Sequence, residues 1–331
     1  MKSTLSYIIC NLFVLSLMIV VLLNEGCKKK DKSTPSSVPV LSTASISAIT
    51  QTAAQCGGNI TSDGGAEITA RGVCWSTGQT PTTGDNKTTD GTGTGNFTSA
   101  ITGLTANTTY YARAYATNNA GTAYGSTFSF TTLQNTVTDI DGNVYKTVTI
   151  GTQEWMTENL KVTHYRDGTP IPNLTDGIAW MDARTGAWCS YNNDTNNLNT
   201  YGRLYNWYTV VDSRNLCPTG WHIPSDAEWA TLATYLGADS ISGGKLKETG
   251  TAHWLSPNTG ATNETGFTAL PGGYRYFTGQ FNFIGNFCFF WTSSAVSTNY
   301  AYYRAITNNS AYLYSNNNLK MIGCTVRCVK D

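Results

Sequence analysis

Thiols, imidazoles and carboxylates are the groups from which a reactive centre could be built in this sequence. Cys324 and Cys328 stand close together near the carboxyl end, with Arg327 beside them. A thiolate needs such an electropositive neighbour to react or to bind copper, and Arg327 is the only obvious local helper. The C-x2-C spacing of zinc or thioredoxin-type sites is absent. The three histidines, His164, His222 and His253, lie too far apart for any two to form a metal pair on one element. His222 is expected to pack or hydrogen-bond rather than act as a general base. No nucleophile-elbow motif surrounds any serine. Glu154, Glu158, Asp182 and Glu228 are scattered, not paired as glycoside cleavage requires. The expectation is a chain that is not an enzyme, with no catalytic, cofactor or metal site.

Binding has a more positive argument. Trp180, Trp188, Tyr191 and Tyr201 fall in a long Asn- and Gly-rich region. Aromatic faces flanked by amides stack on sugars while hydrogen-bonding their hydroxyls. Trp180 and Trp188, with Tyr191, are therefore the candidate carriers of a polysaccharide site, although core packing accounts for single tryptophans equally well. The competing class is a scaffold that packs against another envelope protein. An exposed aromatic patch favours recognition, and buried tryptophans favour the scaffold. Asp139, Asp141 and Asn143 alternate as calcium ligands do, but no later Glu closes the loop, and a plain Asp-Gly-Asn hairpin turn is the better reading.

These residues need elements to hold them, and length and composition bound what those elements are. At 331 residues the chain has room for about two domains. Net charge is zero and only 13% of residues are charged, which argues against a nucleic-acid partner, since phosphate neutralisation needs clustered Lys and Arg. Thr, Asn, Gly, Ser and Tyr suit exposed β-sheets and their turns, so long helices are expected to be few. Lys2, the apolar run from Leu5 to Leu23 and then Asn24-Glu25-Gly26-Cys27 follow the plan of a secretory signal over 1–26. A Cys directly after a small residue resembles the lipobox of bacterial lipoproteins, with Cys27 as the lipidated residue; Asn24 stands where such boxes usually carry Leu. An uncleaved anchor is the alternative, but Lys28, Lys29, Lys30 and Lys32 sit on the wrong side for one. Residues 27–37 read as a lipidated tether that fixes the chain to a membrane, expected to be the outer membrane with the chain facing the medium. Of nine cysteines, removing Cys10 and Cys27 leaves seven, an odd number, so at least one thiol is free or pairs between chains.

Residues 38–132 predict a β-sandwich, with strands near 40–47, 53–61, 68–77, 95–102, 108–118 and 123–132. Tyr110, Ala112, Ala114 and Ala116 alternate with Tyr111, Arg113 and Tyr115, which places the first set on the buried face. Asp63-Gly64-Gly65 marks a tight turn. Leu104, Thr108 and Tyr110, followed by Gly121, Gly125, Ser126 and Phe130, resemble the fibronectin type III signature, with Ala106 in place of its Pro and Trp75 on the third strand instead of the second. The resemblance implies a spacer or adhesive module in which Tyr110 is structural. Cys56 and Cys74, on successive strands, read either as a bridge between sheets or as two buried thiols.

After a linker at 133–138, residues 139–331 shift toward Trp, Tyr and Asn. Ser225 to Gly237 predicts a helix: Ser225 and Glu228 form a capping box, Trp229, Leu232, Ala233 and Leu236 one apolar face, and Gly237 the stop. A second helix is predicted from about Gly202 to Val211, and short strands at 266–270, 288–293, 299–307, 311–314 and 324–329. Trp155-Met-Thr-Glu158-Asn159-Leu160, Cys217-Pro218-Thr-Gly220-Trp221-His222-Ile-Pro224-Ser225, Glu228-Trp229, Gly266-Phe267-x-Ala269-Leu270-Pro271-x-Gly273, Phe290-Trp291-Thr292-Ser293 and Val326-Arg327-Cys328-Val329-Lys330-Asp331 closely resemble the Fibrobacter-type major paralogous domain of bacterial secreted proteins and lipoproteins. More distantly, they resemble the formylglycine-generating-enzyme branch of the C-type lectin-like fold. That likeness implies an irregular α+β domain with a small twisted sheet, two helices and long loops. Those enzymes set their thiols further apart than Cys324 and Cys328 and carry ligand-binding motifs absent here, so a thiol-dependent enzyme is the weaker reading. C-type lectin-like domains tie their last strand to an early element, which implies a Cys217–Cys328 disulfide. Cys288–Cys324 is then a second candidate pair, leaving Cys189 over.

Overall fold

The computed structural model describes residues 35–331. The expected signal, Cys27 and most of the tether lie outside them. The described chain forms two compact units, dividing between Phe130 and Thr131, with Thr50–Thr52 and Gly103–Thr108 counted to the second.

The first unit is a β-sandwich. Its strands are β1 (Val40–Thr43), β2 (Ala53–Ser62), β3 (Ala70–Ser76), β4 (Asn86–Lys87), β5 (Gly95–Thr102), β6 (Thr109–Asn118), β7 (Gly121–Tyr124) and β8 (Phe128–Thr131). One sheet runs β1-β2-β5 and the other β4-β3-β6-β7, with β8 also on β6. Tyr110, Ala112, Ala114 and Ala116 are buried as the alternation predicts; Tyr115, expected outside, is buried too, its hydroxyl donating to Thr88 O at 2.7 Å. Tyr110 packs on Phe130, ring centroids 5.9 Å apart. The single last strand predicted at 123–132 is two strands, broken where Gly125 turns inward to donate to Ala114 O. Cys56 and Cys74 are not joined: each buried thiol donates to a backbone carbonyl nearby, Cys56 to Ala44 O just past β1 at 3.5 Å and Cys74 to Pro81 O in the loop between β3 and β4 at 3.5 Å.

The second unit is α+β. β9 (Thr136–Thr138), β10 (Val144–Ile150), β11 (Gln153–Met156), β14 (Trp221–His222) and β20 (Val329–Lys330) make one sheet, ordered β14-β20-β11-β10-β9. The expected linker at 133–138 therefore supplies a strand, because Thr136–Thr138 pairs with Val144–Lys146. Asp139 closes that hairpin: its carboxylate accepts from the backbone of Asp141 and Asn143 and from the Tyr145 hydroxyl at 2.6 Å. β12 (Trp188–Cys189) pairs only with β13 (Leu204–Tyr205). The predicted helix at 202–211 shrinks to α3 (Trp207–Val210), since Gly202 has φ 74° and ψ −160° and a Cβ there would press on Leu160 O at 2.8 Å. Ahead of it come α1 (Gly177–Asp182) and α2 (Asn196–Tyr201); after it, α4 (Asp226–Tyr235) and α5 (Asp239–Leu246). α4 carries the predicted capping box from Ser225 and Glu228.

The last sheet is β15 (Gly272–Arg275), β16 (Phe281–Ile284), β17 (Phe287–Ala295), β18 (Tyr300–Thr307) and β19 (Tyr314–Leu319), ordered β16-β15-β17-β18-β19. The segment expected as a strand at 266–270 is a loop, 311–313 is a loop that leads into β19 at Tyr314, and of 324–329 only Val329 lies in a strand, β20. Its two faces meet different cores. Cys288, Phe290 and Ile306 join Trp155, Trp229, Trp254 and Phe267, whereas Phe289, Trp291, Ala301 and Ala305 join Tyr145, Tyr205, Trp207 and Cys324. This is why Cys288 and Cys324 are not paired: their thiols belong to opposite faces. Cys217 and Cys328 are joined, with Cα atoms 6.0 Å apart. Along the edge of the sheet, Lys320 donates its backbone N–H to Asn299 O, so the N–H groups of Asn317 and Leu319 point outward; the side-chain oxygens of Asn316 and Asn318 accept them, each at 2.8 Å.

Candidate functional site: an aromatic groove on the last sheet

The structure does not bring Trp180, Trp188 and Tyr191 to the surface as a sugar platform. Trp180 and Tyr191 are buried with Cys189 and Leu204, and the Arg275 guanidinium lies 4.6 Å from the Trp180 ring. Arg275 is itself fixed by the carbonyls of Leu174, Thr175 and Asp176, so this loop region folds around a buried cation and its rings. Trp188 is half-buried; Arg203 covers its face at 3.7 Å and its Nε1 donates to Ile171 O. Tyr201 meets the edge of His253.

The titratable candidates are dispersed. His222 is held at both nitrogens, by Asp331 and Glu228, each at 2.7 Å; His164 meets Asp141 and His253 meets Glu248. Glu154 accepts from Lys330 and Thr147, Glu158 faces Lys161, and Asp182 is exposed. Among the described residues no group of three or more His, Cys, Asp and Glu is placed to hold a metal. Cys328 is spent in the disulfide, and burial raises the thiol pKa of Cys324 and pushes that of Cys288 to about 12.

Aromatic side chains do gather elsewhere, on one face of the last sheet. Along β17, Phe287 and Phe289 project to this face two residues apart, with ring centroids at 5.4 Å. Their cross-strand partners on β18 are Thr307 and Ala305, and those of Ala305 and Tyr303 on β19 are Tyr314 and Asn316. Ala305, the smallest side chain of the set, stands between Phe289 and Tyr314 on the floor of a groove of about 360 Å³. Phe287, Phe289, Tyr303 and Tyr314 wall it; Thr307, Asn309 and Asn316 form its polar rim. Tyr274 packs on Phe289 at 4.9 Å and on Phe283 at 5.9 Å, continuing the rings across β15 and β16. Phe283 is 47% exposed and Tyr314 40%, so the patch faces solvent. Burial pushes the Tyr303 hydroxyl to about 12, which keeps it a neutral donor and acceptor. The alternation Phe287-x-Phe289-x-Trp291 is the signal from which this face could have been read. What it does not reveal is that Trp291 is covered, its Nε1 donating to Tyr205 O, while Phe287 is only partly buried.

Residues from three of the sequence blocks, Trp155, Trp221-His222 and Val329-Lys330, are neighbours in one sheet, Trp155 opposite Val329 and Trp221 opposite Lys330. The Fibrobacter succinogenes major domain model matches residues 148–330, more than half of the chain. The chain belongs to this family. Its major domain thus includes the whole aromatic sheet. No curated protein matches the chain. Among solved structures, the sensor domain of the anti-sigma factor RsgI4 of Pseudobacteroides cellulosolvens is similar at 18% identity, over 29% of this chain and 96% of that one, with a TM-score of 0.22. A fibronectin type III domain of the human KIAA0970 protein is similar at 16% identity, over 28% of this chain and 72% of that one, with a TM-score of 0.20. The sandwich of the first unit stands on its own strand pairing, independently of these likenesses.

Proposed function

We propose that this chain is a non-catalytic, lipid-anchored envelope protein of the bacterial surface whose major domain recognises a glycan. The observation that carries the reading is the groove over Ala305, where aromatic walls meet an amide rim. Rings supply apolar faces for the CH side of a sugar, and amides supply hydrogen bonds to its oxygens. The major domain is read as a C-type lectin-like variant, in keeping with its short sheets, two main helices and the disulfide from Cys217 to the last strand. The lipidated Cys27 and the outward-facing outer-membrane location rest on the signal-like run from Leu5 to Cys27. Burial of five free thiols and the carboxylate partners of all three histidines favour binding over catalysis.

A scaffold that packs against another envelope protein is the second reading, favoured by the burial of Trp180 and Tyr191. The test is binding of the full chain, in detergent, to a panel of plant, host and bacterial polysaccharides with and without calcium. Saturable binding that Tyr314→Ala weakens and Trp188→Ala does not supports the groove. No binding across the panel, with a specific envelope crosslink, would establish the scaffold instead.

A further inference from the structure

The rim of the groove has a polarity of its own. Asn309 Oδ1 accepts from the Thr307 hydroxyl at 2.7 Å, and Asn316 Oδ1 accepts from the backbone of Asn317 at 2.8 Å. Each amide oxygen is therefore engaged by a donor, which fixes which way the amide is turned and leaves its NH₂ outward. Among the described residues neither NH₂ has a hydrogen-bond partner. Asn318 repeats the arrangement two residues along the same strand face, with Leu319 N–H on its oxygen. No charged side chain lines the groove.

We infer that the groove takes a neutral, unsubstituted glycan without a metal ion, stacking the sugar's CH face on the exposed Tyr314 and the half-buried Tyr303 while Asn309 and Asn316 donate to its oxygens. This rests on the glycan reading and narrows it. A uronate or sulfated chain would bring an anion into a site with no cation to meet it, and its desolvation would go uncompensated. Calcium-dependent sugar binding needs carboxylate oxygens, which the lining lacks. Ring walls and a rim of donors suit chains whose hydroxyl, ring and bridging oxygens all accept. The groove volume falls in the ordinary range for small-ligand sites, roughly 300–1,000 Å³.

The test uses the full chain in detergent with three soluble probes: mixed-linkage β-glucan, galactomannan and polygalacturonate. The expected result is saturable binding to at least one neutral polymer, unchanged by EDTA, and none to polygalacturonate. Asn316→Asp keeps the acceptor for Asn317 N–H and replaces the free donor by a carboxylate oxygen; it is expected to weaken neutral binding about tenfold, or 1.4 kcal/mol. Ala305→Leu, which raises the floor of the groove and removes no ring, is expected to weaken binding about tenfold or more. A preference for polygalacturonate, loss of neutral binding in EDTA, or neutral binding untouched by both variants overturns this inference while leaving the chain a glycan binder. Failure of all three probes and of the wider panel overturns both.

Discussion

Arg327 is where three of the sequence blocks meet. Its Nε donates to Asn159 Oδ1 at 2.9 Å and its terminal nitrogens to Phe267 O and Thr268 O, while Phe267 and Phe290 lie against the guanidinium at 4.2 and 5.3 Å. Burial lowers its pKa, and the three acceptors offset that cost. A lysine offers one point charge where the fork offers matched directions. Arg327→Lys is therefore expected to destabilise the major domain by about 2–4 kcal/mol, measured by urea unfolding, because buried acceptors are left unmet. His222 behaves differently. Burial opposes its protonation, but the hydrogen bonds to Asp331 and Glu228 outweigh burial and raise its pKa above the ordinary 6.5. A base whose folded pKa is raised contributes stability that is complete below 6.5 and is lost as pH climbs through the folded value. Wild-type melting temperature should fall across that window more steeply than that of His222→Gln; equal slopes would contradict the assignment.

Among the elements, α4 was the most legible because its signals are local: Ser225 accepts from Glu228 N, and Glu228 Oε2 accepts from Ser225 N at 2.7 Å. Ser225→Ala is expected to cost about 1 kcal/mol, read as a lower thermal midpoint with the fold retained. α5 was not legible, since Ser242, Gly243 and Gly244 are poor helix formers. Its reason is tertiary: a Cβ on Gly243 would reach Tyr312 O at 2.4 Å and one on Gly244 would reach Gly260 O at 2.3 Å, so only glycines let the helix lie this close to those loops. The groove was illegible for a related cause. Aromatic alternation on β17 marks a face, but openness depends on Ala305 and Tyr314 standing opposite, a pairing set by register between strands. Trp180 and Tyr191 stand out in the sequence by composition alone; in the fold Trp180 packs inward on Arg275 and Tyr191 on Phe281.

At the scale of the molecule, the disulfide closes a loop between residues 111 apart in sequence and pins β20 beside β11 and β14. Cys328→Ser is expected to lower stability by about 2–5 kcal/mol, with reductant reproducing the loss in the wild type; an unshifted urea midpoint would show that the strand pairing holds without it. The outer edge of the last sheet has a consequence for life in a crowd. A bare strand edge lets neighbouring copies zip together into polymers when they are concentrated on a surface. β19 spends two of its outward N–H groups on the amides of Asn316 and Asn318, so its rim offers fewer donors to a passing strand. Copies packed side by side can stay separate individuals, each with its aromatic face left free.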